Sequence, residues 1–211
     1  MRYFKKLAAA ACAIVVSIMT FAACKGDVPA PEPLPQEPIS PSVSAWNPID
    51  EANSIVTALA DQTLKSKVTS ADINAKIIYN ISNTWIFENT ACGALPPKDG
   101  TIEIVGADGK YTTSGAITDA DKADANPKTL AERFSEDFGD VPTYALAHIE
   151  DGKVRAVIYT ISGEIDPSEL PPREVFFAES PEWTWNGEMA GVTPSGATVG
   201  TFPKIPLKRS Q

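Results

Sequence analysis

His148 is the only histidine in the 211 residues. Any reaction that needs imidazole as a base, or any metal site that needs an imidazole ligand, must therefore use it. The three cysteines are Cys12, Cys24 and Cys92. A thiol becomes a nucleophile when deprotonated, and an imidazole is a common base for it, so Cys92 and His148 are the candidate catalytic residues. Neither is assigned a catalytic role outright. No Gly-x-Ser-x-Gly, Gly-x-Gly-x-x-Gly or Walker-type loop occurs, so serine acyl transfer and nucleotide chemistry have no motif to carry them.

Cys92-Gly93 with His148 downstream resembles the order of some cell-wall cysteine peptidases. That resemblance implies a thiolate at a helix N-terminus paired with an imidazole. Here Leu95-Pro96-Pro97 follows, a run that cannot open a helix directly after the thiol. The alternative is a structural pair of residues, with Cys92 a small buried hydrophobe at a strand end and His148 facing Arg155 and Tyr159 across a hairpin.

A zinc site would have one ligand of each soft type, short of the three or four N and S ligands usually supplied. Asp119, Asp121 and Asp124 suggest a calcium loop, but Ala123, Asp124 and Leu130 stand where a ligand, a glycine and the bidentate acid belong. No metal and no cofactor is expected. Trp183 and Trp185, two apart, share one face if they lie on a strand. They are the candidate ligand-binding residues if exposed, and ordinary core if buried.

Basic Arg2, Lys5 and Lys6 precede an apolar run from Leu7 to Phe21, the layout of a secretory signal. The apolar stretch is shorter than the ~20 residues of a spanning helix. Phe21-Ala22-Ala23-Cys24 resembles the bacterial lipobox, with Phe where Leu is commonest. The resemblance implies cleavage of residues 1–23, lipidation of Cys24 and attachment to a membrane. Lys25 is not the Asp that retains enterobacterial lipoproteins in the inner membrane, which favours the outer one; the face it occupies stays open.

Cleavage would remove three positive charges and shift the net charge from −9 to −12. That balance disfavours nucleic acid as a partner, because a nucleic-acid footprint is basic. With Cys12 cleaved away and Cys24 lipidated, Cys92 has no disulfide partner within the chain, so a hydrophobic core must supply the stability.

Residues 24–44 carry prolines at 29, 31, 33, 35, 38 and 41 and read as an extended tether. A single globular domain is expected over 45–211. Asn47-Pro48, with Asp50 and Glu51, opens a helix predicted over 48–65. Ile73, Ile77, Ile78 and Ile81 predict a second over 71–80, with a strand as the alternative near 76–86. Leu130 and Phe134 predict a short surface helix.

Asp108-Gly109, Asp151-Gly152 and Asn186-Gly187 are turn signals between apolar runs. The middle hairpin has an expected register: Ile149 opposite Val154, His148 opposite Arg155, Ala147 opposite Ala156. One face would then be wholly apolar, with Ala145, Ala147, Ile149, Val154, Ala156 and Ile158. Asn83-Thr84-Trp85-Ile86-Phe87 and the following hairpin resemble the opening of lipocalin-like lipoprotein domains, without their Gly. That resemblance implies a barrel carrying an apolar ligand.

The expected fold is α+β: one or two N-terminal helices packed on an antiparallel sheet of about six to eight strands. The expected role is a non-catalytic envelope lipoprotein, binding a glycan, a protein or another ligand, or acting structurally. A lipocalin-like carrier and a Cys/His hydrolase are the alternatives.

Overall fold

The computed structural model describes residues 48–161, 166–187 and 189–208, with side chains from residue 53 onward. The signal, Cys24 and the proline-rich tether lie outside the described residues, as does Asn47.

One helix, α1, runs over Pro48–Ala91, where two were expected. No glycine or proline interrupts it after Pro48, so nothing in the backbone forces a break. Ile81 and Ile86 flank a buried seam of Val68, Ala71, Ala75, Ile78, Ser82, Trp85 and Asn89. The seam positions alternate in steps of three and four, as in a helix lying along a partner. Of the isoleucines that marked the second helix, Ile78 and Ile81 are buried whereas Ile73 is 56% exposed, and small Ala71 and Ala75 also sit on the sheet. The apolar Ile55, Val56 and Leu59 of the first turns are also exposed.

Five strands follow: β1 (Gly100–Ala107), β2 (Lys110–Gly115), β3 (Thr143–Glu150), β4 (Lys153–Thr160) and β5 (Val199–Phe202). They form one antiparallel sheet in the order β2-β1-β3-β4-β5. The protein is thus α+β, with five strands among the described residues where six to eight were expected. Asp108 and Asp151 both have positive φ, as do Gly109 and Gly152, so two of the three turn signals close tight hairpins. Asn186-Gly187 closes no strand pair; Trp183 instead makes a single parallel bridge to Leu207.

Helix α2 (Leu130–Asp137) is the expected short one, capped by Thr129, whose side chain accepts from the Glu132 amide while Glu132 accepts from the Thr129 amide. It buries Leu130 and Phe134.

Asn83–Phe87, where the lipocalin resemblance begins, is helical. β2 and β5 are the edge strands and do not pair with each other, so among the described residues neither the opening strand nor the closed barrel which that resemblance implies is formed.

The hairpin register holds at Ile149 and Val154 and then shifts. A bulge between His148 and Ile149 sets His148 opposite Ala156 and Ala147 opposite Val157. An extra residue reverses which face each later side chain takes. Val157 and Tyr159 therefore join Ala145, Ala147, Ile149 and Val154 in the core under α1, and Ala156 and Ile158 go to the other face.

That second face is also covered. Residues 166–187 and 189–208 cross it with a four-residue helix, α3 (Arg173–Phe176), and bury Leu170, Phe176, Trp185 and Ile205 against Ala156 and Ile158. Both sheet faces are apolar because both are packed.

Candidate functional site

Along β3 His148 alternates with core-facing Ala147 and Ile149, so its ring lies on the face covered by the C-terminal segment. His148 is 3% exposed, its ring 5.4 Å from that of Phe176. Nδ1 lies 2.9 Å from the Thr101 hydroxyl on β1, the residue directly opposite in the strand pair. Nε2 is buried and has no hydrogen-bond partner. The contact expected with Arg155 does not form: Arg155 reaches Asp151 at 3.5 Å, because the bulge moves it out of register with His148.

Burial pushes the His148 pKa down to about 4, the nearby Arg173 guanidinium adds to the effect, and Glu174 opposes it. The imidazole is therefore neutral at pH 7, one ring nitrogen a donor and the other an acceptor.

Arg173 is anchored beside the bulge. Its Nη2 donates to the Ile149 carbonyl at 2.9 Å, and its guanidinium carbon sits 4.7 Å from the centre of the Phe177 ring, a stacked cation and aromatic. Its Nε is buried without a partner.

These residues line a cleft of about 560 Å³. Thr101, Leu146 and His148 form its floor on the sheet, Arg173, Glu174 and Trp183 its side, and Pro167, Pro171 and Pro172 a stiff wall. The volume suits a small ligand or a chain end. Next to it the sheet surface carries half-buried Tyr144, hydrogen-bonded to Glu103 and with its pKa raised by burial and by that carboxylate.

The two tryptophans separate. Trp185 is 3% exposed and belongs to the core; an exposed platform of both rings does not exist. Trp183 is half-buried and lines the cleft. Sequence spacing could not distinguish them, because no strand carries them; Trp183 is instead pinned by backbone bonds to Pro206 and Lys208.

Cys92 is half-exposed rather than buried. It follows the last turn of α1, its amide donating to the Glu88 carbonyl. This is the carbonyl end of the helix, opposite to the end that favours a thiolate. α1 packs on the first face of the sheet and the His148 ring lies on the second. The end of α1 that carries the thiol and the imidazole thus belong to opposite faces of the sheet.

Asp121 does not bind outward: its carboxylate accepts from the Thr118 amide and hydroxyl. Among the described residues no group of three acidic, cysteine or histidine side chains could hold a metal. No helix among them is long and apolar enough to cross a membrane.

Arg173, Glu174, Thr101 and the proline wall were missed by the sequence reading. The Pro171-Pro172 pair followed by Arg-Glu was the only local signal, and it reads as an ordinary loop until the C-terminal segment packs it beside His148. No protein-family model, curated protein or solved structure matches this chain.

Proposed function

We propose that the protein is a non-catalytic lipoprotein of the bacterial envelope, tethered through lipid on Cys24 to the outer membrane and using its folded domain for binding. The observation that carries this is the apolar signal ending in Phe21-Ala22-Ala23-Cys24, followed at once by a proline-rich stretch. Lipid supplies the address and the tether supplies reach, at about 3.1 Å per residue in an extended polyproline conformation. The separation of Cys92 from His148 by the sheet supports a binding role over a thiol hydrolase. The cleft beside His148 supports a ligand of modest size.

The test is metabolic labelling with an alkyne palmitate analogue in a bacterial host, followed by membrane fractionation. Wild-type protein should take label and sediment with outer membrane, and Cys24→Ser should lose both label and sedimentation. Unlabelled, secreted wild-type protein would overturn the reading.

A further inference from the structure

The geometry points to the cleft between Trp183 and His148 as a binding site for a neutral sugar chain, an inference that rests on the binding reading above. Sugars present apolar C–H faces and closely spaced hydroxyls that both donate and accept. Their sites accordingly combine an aromatic face with mixed donors and acceptors held rigidly.

Each requirement has a residue here. Trp183 lines the cleft and is half-buried, leaving indole surface for stacking while its backbone is fixed at both the amide and the carbonyl. Glu174 is an exposed acceptor at the side of the cleft. Arg173 is a donor whose aim is set by the Ile149 carbonyl and the Phe177 ring. On the floor, Thr101 and His148 share one hydrogen bond, which leaves the buried His148 Nε2 without a partner. That nitrogen has almost no accessible surface, so the side chains open to a ligand are Trp183, Arg173 and Glu174.

The charges decide against an anionic ligand. Arg173 is offset by Glu174 within the cleft and the imidazole carries no charge at neutral pH. The chain as a whole is acidic, so a polyanion would approach against the field.

The experiment is calorimetric titration of the full-length protein, solubilised in a detergent without a sugar headgroup. The probes are maltotriose, cellotriose and tri-N-acetylchitotriose, with trigalacturonate as the anionic comparator. At least one neutral trisaccharide should bind with Kd of about 1 mM or tighter. Trp183→Ala should weaken it about tenfold. Because Trp183 also packs on the core, exposed Glu174→Gln is the second variant, expected to weaken binding about threefold to tenfold without loss of fold.

No saturable heat from any neutral trisaccharide up to about ten times that concentration would overturn the inference. So would binding of trigalacturonate alone, or binding untouched by both variants. Palmitate labelling is independent of all three results, so failure here leaves the lipid-anchor reading standing, and failure there leaves the cleft.

Discussion

The two faces of the sheet draw side chains from the same strands, yet they treat polar atoms differently. Under α1 the polar groups are answered. The Trp85 indole donates to the Lys128 carbonyl, Asn83 pairs with both the amide and the carbonyl of Val154, and Asn89 ties together Asp121, Ala123 and Asn126. On that side the Ser82 and Thr113 hydroxyls lack partners but rotate to suit their surroundings, and the fixed Arg133 Nε, without an aligned hydrogen bond, still lies 2.8 Å from the Asp137 carboxylate. Under the C-terminal segment the unpartnered atoms are His148 Nε2, Arg173 Nε and Trp185 Nε1, whose directions are fixed by rings and a planar guanidinium. A face that buries oriented donors without partners gives up stability. The helical face is built to hold the fold, and the loop-covered face is where a ligand has something to gain.

The largest test of that contrast is truncation of one aromatic on each face, followed by urea denaturation. Phe134, fully buried between α2 and the sheet, should lose about 3–5 kcal/mol on change to Ala. Phe176, at the edge of the second cluster and 9% exposed, should lose about half as much, since neighbours at an open cleft can relax into the gap. Equal losses would erase the distinction between a sealed face and an open one.

A smaller effect comes from pH. The folded protein holds His148 near 4, below the ordinary value of about 6.5 that it regains on unfolding. Stability from keeping the ring neutral is therefore complete above pH 6.5 and falls as pH drops from there to 4. The total is about 3 kcal/mol. Denaturation midpoints of wild type and His148→Asn should converge in slope above pH 6.5 and diverge below it. Parallel curves throughout would mean that His148 is not buried as described.

The smallest effect compares the two buried tryptophans directly. Trp85→Phe strands the Lys128 carbonyl and should cost about 1–2 kcal/mol more than Trp185→Phe. The latter removes a donor that has no partner, so its cost should be only that of the smaller ring. Thermal or urea unfolding of the two variants side by side reads the difference. If Trp185→Phe were the more damaging, its indole would have a partner after all.

Much of the local structure was legible in the residues alone. Asp108-Gly109 and Asp151-Gly152 tolerate positive φ and so mark their hairpins, and Leu130 with Phe134 marks α2, because turns and short helices are decided by a few neighbouring residues. The α+β class followed from the switch between three-to-four and two-residue periodicity. The continuous helix was not legible, because its seam uses Ala71, Ala75, Ser82 and Asn89, which carry little hydrophobic signal. Asn83 was likewise invisible as the clamp on β4.

By itself the amino-acid sequence determined the two Asp-Gly hairpins, the short helix α2 and the acidic balance, each a matter of residue type or short-range order. Only the tertiary structure decided the bulge at His148, and with it the exchange of Val157 and Tyr159 for Ala156 and Ile158 between faces. It also separated Trp183 from Trp185 and placed Arg173 beside the imidazole. The physical reason is that a strand's side chains alternate with a period of two, so one extra residue reverses every face beyond it. Which residue is extra depends on contacts from partners far away in the chain: Asn83 at Val154, Thr101 at His148 and Arg173 at Ile149.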